Sequence, residues 1–110
     1  MLLQQGKVDE AIQSLEKAIA YNSRFLQALA TLANAYLMKG MVDESIDKNL
    51  RVLELEPTFA VAHNNLTIAY LEKGDIETAA AHCEKAQELG YEVAPEILRD
   101  LAAAKAQQTA

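Results

Sequence analysis

Residues 64–75 read Asn64-Asn65-Leu66-Thr67-Ile68-Ala69-Tyr70-Leu71-Glu72-Lys73-Gly74-Asp75. Apolar residues in this segment recur at the three- and four-residue steps of an α-helix. The segment ends at a glycine, which often terminates helices because it adopts the left-handed conformation without a Cβ clash. We therefore predict a helix that ends at Gly74.

A similar phrase begins at three glycines with a fixed spacing. Gly6, Gly40 and Gly74 are 34 residues apart. The phrases are Gly6-Lys7-Val8-Asp9-Glu10-Ala11, Gly40-Met41-Val42-Asp43-Glu44-Ser45 and Gly74-Asp75-Ile76-Glu77-Thr78-Ala79. A fixed period of this length indicates a stack of similar structural units. Each period has room for two helices joined at the glycine.

The pattern predicts six helices, at 8–20, 24–38, 42–55, 59–73, 76–89 and 95–107. Thr58 is the predicted N-cap of the fourth helix. Carboxylate pairs such as Asp43 and Glu44 lie where second helices begin. We interpret them as charges that stabilise the helix dipole rather than as acid–base catalysts.

Composition limits the function classes. The chain has 110 residues, 51% of them hydrophobic and 24% charged, which predicts one folded domain. Its net charge of −6 disfavours binding to nucleic acid or to anionic lipid. A single cysteine cannot form an internal disulfide, and no apolar run is long enough to span a membrane. We expect a soluble, cytoplasmic protein with no nucleic-acid or membrane partner.

The 34-residue period and the helix–glycine–helix layout resemble the tetratricopeptide repeat (TPR) family over residues 1–93. The resemblance implies an all-α fold, a short right-handed superhelix of antiparallel helix pairs. It divides a single domain, 1–110, into a partial first repeat (1–22), a second repeat (23–57), a third repeat (58–93) and a capping helix with its tail (94–110). The chain then holds about 2.5 repeats.

The two ends of this stack are expected to differ. The last helix has four apolar residues on one face: Ile97, Leu98, Leu101 and Ala104. We predict that this face covers the end of the helix stack as a cap. At the other end, Gly6 falls in the middle of a unit, so residues 1–5 are the end of an incomplete first helix. Three apolar residues of the next helix are then expected to lack cover and to favour self-association: Ile12, Leu15 and Ile19.

Residues that could carry catalysis are few. His63 is interpreted as a partly buried packing residue. His82 adjoins Cys83, but neighbours in a helix point about 100° apart, and no further ligand stands at metal-binding spacing. Cys83 is interpreted as a buried, inert thiol. We expect no enzyme activity, no metal site and no cofactor.

The resemblance implies that the first helix of each unit lines a concave groove for a protein or peptide partner. The groove residues are then Gln27, Thr31, Asn34, Met38, Val61, Asn64, Asn65, Ile68 and Arg99. Asn34 and Asn65 are the predicted peptide contacts, because an amide both donates and accepts hydrogen bonds. The alternative is that these asparagines serve local hydrogen bonding. A carboxylate clamp for acidic tails is disfavoured, since its two lysines would fall at Ala30 and Pro95.

Two functions follow from these observations. The first is a non-catalytic interaction module that binds a peptide segment in the groove. The alternative is a self-assembling adaptor, a homo-oligomer formed through the open edge of the first complete helix.

Overall fold

The computed structural model describes the backbone of residues 2–21 and 26–109 and the side chains of residues 7–19 and 26–108. Within these ranges the chain forms six helices and no strand, which confirms the all-α prediction. The helices are α1 (Leu2–Tyr21), α2 (Leu26–Met38), α3 (Val42–Leu55), α4 (Ala60–Lys73), α5 (Ile76–Glu88) and α6 (Pro95–Thr109). The predicted start of the second helix, at residue 24, lies outside the described residues.

The prediction that a helix would end before Gly6 is wrong. α1 is one continuous helix of 20 residues that contains Gly6. At the later glycines, two full helices pack against each other and fix the turn between them. Only residues 2–5 precede Gly6 in α1, so local helix propensity decides there. Glycine inside a helix costs only about 0.5–1 kcal/mol relative to alanine.

The turns after α2 and α4 share one geometry. Gly40 and Gly74 both have φ of 82°, as predicted for left-handed caps. The amide after each glycine donates to a carbonyl five residues earlier, from Met41 to Tyr36 and from Asp75 to Tyr70. This pattern satisfies carbonyls that the end of a helix would otherwise leave unpaired.

The N-cap prediction for Thr58 is wrong. The residue before α4 is Phe59, which provides no side-chain cap. Thr58 instead donates to the Glu56 carboxylate, from its amide at 3.3 Å and from its hydroxyl at 2.6 Å. The Pro57 turn places the hydroxyl beside Glu56 rather than over the first turn of α4. These two hydrogen bonds lower the pKa of the Glu56 carboxyl.

The helices stack in chain order. α1 packs on α2, α2 on α3, α3 on α4, α4 on α5 and α5 on α6, and α2 also touches α4. Instead of one core, four small apolar clusters lie between successive helices. One of them joins Leu29 and Ala30 of α2, Val52 of α3 and Ala62 of α4. α3 therefore contacts both α2 and α4 through this cluster.

α6 covers the last cluster with part of its predicted face. Leu101 is buried against α5, and Ile97 and Ala104 are packed at the edge of the same cluster. Leu98 does not join them, since 37% of it is exposed, which corrects the prediction. Residues 97, 101 and 104 follow the four- and three-residue steps of one helix face. Residue 98 points about 100° away from its neighbour, residue 97. None of the helices within the described ranges is both long and apolar enough to cross a bilayer.

Candidate functional site

A cavity of about 340 Å³ lies between α2 and α4. Its lining residues are Gln27, Ala30, Thr31, Asn34, Val61, Asn64, Asn65, Ile68 and Tyr91. They follow the same helical steps on both walls, and none of them is charged. We call this cavity the α2/α4 groove. Seven of the nine predicted groove residues line it, namely Gln27, Thr31, Asn34, Val61, Asn64, Asn65 and Ile68.

Asn64 stands out among these residues. Only 8% of it is exposed, and its Oδ1 atom is buried with no hydrogen-bond partner among the residues that the structure describes. An unpaired buried acceptor of this kind costs about 1–3 kcal/mol of stability. The groove wall therefore contains an acceptor that the described residues leave unsatisfied.

Asn65, one of the two predicted contacts, is engaged inside the protein. Its Nδ2 donates to Asn49 Oδ1 at 3.4 Å, and Asn49 Nδ2 donates to the Ser45 carbonyl at 3.1 Å. The first bond ties α4 to α3, and the second holds the Asn49 amide within α3, so the three residues form a buried polar seam. For the donor of Asn65, local hydrogen bonding is therefore the observed role.

Asn34, the other predicted contact, is exposed and makes only a weak contact with Met38, from Nδ2 to Sδ at 3.8 Å. Met38 and Arg99 do not line the α2/α4 groove. Met38 is 68% exposed at the end of α2, and Arg99 is exposed on α6. Tyr91 lines the groove from the loop before α6, and no periodic signal singles out a loop residue of this kind.

A second cavity, of about 410 Å³, lies between α4, α5 and α6. It is lined by Ile68, Leu71, Glu72, Ile76, Ile97, Asp100 and Ala104. We call it the α4/α6 cavity. Ile68 lines both cavities, so the two meet at this residue. The walls are apolar apart from Glu72 and Asp100.

The open edge of α1 differs from the prediction. Ile12 is 7% exposed and packs with Leu32 and Ala35, while Leu15 and Ile19 are half-buried beside it. The expectation that Ile12 is left uncovered is therefore wrong. Residues 12, 15 and 19 share one helical stripe, and α2 covers that stripe.

The uncovered side of α1 is the neighbouring stripe of Ala11 and Ala18, which are both exposed. Their counterparts one and two periods later are Ser45 and Ala79 for Ala11, and Val52 and Ala86 for Ala18. All four counterparts have 0% exposure, because α2 and α4 pack on α3 and α5. We call the Ala11 and Ala18 surface the α1 face.

The histidines and the cysteine are structural neighbours in α4 and α5. His63 and Cys83 are buried, as predicted. Burial raises the pKa of the Cys83 thiol. Across the part of the chain that the structure describes, no three His, Cys, Asp or Glu side chains are grouped as metal ligands would be.

Comparisons with known proteins agree with this architecture. Sequence profiles described as "Tetratricopeptide repeat" match residues 2–47 and 49–81. A search of curated proteins found no significant match. The crystal structure of MamA superposes with a TM-score of 0.72 at 28% sequence identity, covering 76% of this chain and 49% of that one. The chain thus spans about half the length of MamA. The paired helices, the 34-residue period and the two profile matches lead to one conclusion: the chain belongs to the tetratricopeptide repeat family, whose repeats are generally non-catalytic protein-interaction units.

Proposed function

We propose that the protein is an interaction module whose α2/α4 groove binds an extended peptide segment of a partner protein. The observation that carries this proposal is the buried, unpaired Oδ1 of Asn64 in the groove wall. In the complex this oxygen accepts a hydrogen bond from a backbone N–H of the bound segment, which removes the cost of the unpaired acceptor.

The chemistry of the groove selects a peptide backbone over a charged ligand. An asparagine amide offers both an acceptor and donors, which matches the C=O and N–H of a peptide unit. The groove itself has no charged lining residue with which to hold an acidic tail. Val61 and Ile68 flank Asn64 and add apolar contact. A short extended segment fits these features.

A selection from a display library of random twelve-residue peptides tests the proposal. The parent chain is expected to enrich peptides, and a synthetic enriched peptide should bind it in a fluorescence anisotropy titration. Asn64→Leu keeps the branched shape of the side chain but removes the amide, so it should weaken binding by about tenfold or more. Glu77→Gln, on the exposed surface of α5, is the control that should bind as the parent does. Equal binding by the parent and Asn64→Leu, or no enrichment at all, would overturn the proposal.

A second candidate function is head-to-tail self-association through the α1 face. The observation that favours it is the exposure of Ala11 and Ala18, whose counterparts in α3 and α5 are fully buried. At the other end of the stack, an open cavity of about 260 Å³ lies between α5 and α6, lined in part by Cys83, Leu98 and Leu101. We propose that α1 of a second copy packs on α6 there, as α3 packs on α2 and α5 on α4.

Light scattering coupled to size exclusion tests this second candidate. The parent is expected to show a mass above one chain that falls on dilution. Ala18→Glu should give the mass of one chain, whereas Ala81→Glu, which adds the same charge on an exposed position of α5, should behave as the parent. A parent that has the mass of one chain at every concentration would rule the candidate out. Ile12→Asp is unsuitable as a variant of this edge because Ile12 belongs to the core.

A further inference from the structure

One side of α4 lines both cavities in succession. Val61, Asn64, Asn65 and Ile68 line the α2/α4 groove, and Ile68, Leu71 and Glu72 line the α4/α6 cavity. These positions follow helical three- and four-residue steps, so they form a stripe along one side of the helix. A segment that lies along this stripe therefore leaves the groove at Ile68 and enters the α4/α6 cavity.

The chemistry changes along this path. The α2/α4 groove is uncharged, whereas the α4/α6 cavity has apolar walls with the carboxylates of Glu72 and Asp100. No ion pair of either carboxylate is found among the described residues. The lysine next to Glu72 in sequence, Lys73, is bound to Asp43 at 2.6 Å. The charge of Lys73 is therefore paired with Asp43 and not with Glu72.

A lysine or arginine side chain matches this cavity. Its aliphatic stem can lie against Ile68, Ile97 and Ala104, while its charged head meets the carboxylates. The net charge of −6 also favours a cationic partner over an anionic one. An acidic side chain would instead meet two like charges.

We propose that the segment bound in the groove carries a lysine or arginine whose charged head binds between Glu72 and Asp100. This inference rests on the proposed peptide binding and assigns the chemistry of its ligand. Asn64 and Glu72 are eight residues apart in α4, which is about 12 Å along the helix axis. An extended chain rises about 3.3 Å per residue. The basic residue is therefore three or four positions from the backbone amide that pairs with Asn64.

The display selection described above tests this inference through the composition of the enriched peptides. The parent is expected to enrich peptides with lysine or arginine at one fixed position. The double variant Glu72→Gln, Asp100→Asn should lose that preference. It should still enrich peptides with apolar residues that contact Val61 and Ile68. The matched control, Glu10→Gln with Glu77→Gln, changes the net charge equally but away from both cavities, so it should keep the preference.

Anisotropy titrations with one enriched peptide make the test quantitative. Replacing its basic residue by methionine, which keeps the stem, should weaken binding to the parent by about tenfold. The same replacement should have little effect on binding to the Glu72→Gln, Asp100→Asn variant.

The outcomes separate the two proposals. Enrichment without a basic residue, or a preference that survives in the double variant, would overturn this inference and leave peptide binding intact. No enrichment with the parent would overturn both.

Discussion

The Nδ1 atoms of His63 and His82 lie 3.0 Å apart and join α4 to α5. His63 also places Nε2 3.0 Å from the carbonyl oxygen of Pro57, which can only accept, so Nε2 carries the proton. Neutral His63 therefore accepts at Nδ1, and His82 donates from its Nδ1. The His82 ring also stacks on Tyr70, with ring centroids 5.8 Å apart.

We expect stability to fall as pH falls below about 6.5. Burial, followed by the proximity of His63, lowers the pKa of His82 below its ordinary value of 6.5. The unfolded chain then binds a proton more readily than the folded one, so the contribution of His82 to stability is complete above pH 6.5 and is lost below it. Thermal melts followed by circular dichroism through this range should show Tm falling for the parent and falling less for His82→Gln. The pKa of the Glu56 carboxyl is also lowered from its ordinary value of 4.5. Its effect on stability is therefore confined to pH values below 4.5, outside the range in which His82 titrates. Parallel curves for the two proteins would contradict the prediction.

The same substitution at neighbouring asparagines should have opposite effects on stability. Asn64→Leu removes a buried acceptor that has no partner, so Tm should rise by several degrees, since 1 kcal/mol corresponds to about 4–8 °C in a domain of this size. Asn65→Leu leaves Asn49 Oδ1 buried and unpaired, so Tm should fall by a similar amount. Melts of both variants beside the parent check the pair. A fall in Tm with Asn64→Leu would show that its oxygen is satisfied after all.

Alanine should also act in opposite directions at two glycines. Gly74→Ala forces a side-chain-bearing residue into φ of 82°, which costs about 1–2 kcal/mol even though no other atom lies within 4 Å of the added Cβ. Gly6 lies inside α1, where alanine should stabilise the helix by about 1 kcal/mol. Denaturant titrations give both values directly. Destabilisation by Gly6→Ala would mean that the helix is interrupted there.

An ion pair recurs with the period of the repeat. Lys73 bonds to Asp43 at 2.6 Å, and Lys39 bonds to Asp9 one period earlier, each across 30 residues. The hydrogen bond to Asp43 raises the pKa of Lys73. Because the pair is exposed, Lys73→Met should lower Tm only slightly at low ionic strength and not at all in about 1 M salt. Arg51→Met, which breaks a pair within α3, is the comparison. A large loss that persists in salt would indicate a packing role.

The period predicted most of the fold because it records which residues are buried together. It located the end of α2 and both ends of α3 to α6 to within two residues of those observed. It could not predict the continuation of α1 through Gly6, where the described residues include no full preceding helix to impose the turn. Nor could it separate Ile12 from the α1 face, since the two stripes of α1 are both apolar and only the position of α2 decides which one is covered.

Part of the groove was likewise predictable from the sequence, and part was not. Seven of its residues were predictable because they recur on equivalent helices. Which asparagine lacks a partner was not predictable, because Asn64 and Asn65 are adjacent and alike in sequence. The difference depends on Asn49, 16 residues before Asn65 and on another helix. Arg99 fell outside the site because the orientation of α6 is set by Leu101 and its contacts with α5.

The small clusters between helices make the shape of the molecule a sum of local contacts. In a stack of repeats, a small rotation at each seam adds to the curvature of the whole. Val52 of α3 lies in a cluster that joins both walls of the groove. The volume of that side chain therefore contributes to the spacing of α2 and α4, so the fit of a ligand can be tuned from a layer that the ligand never contacts.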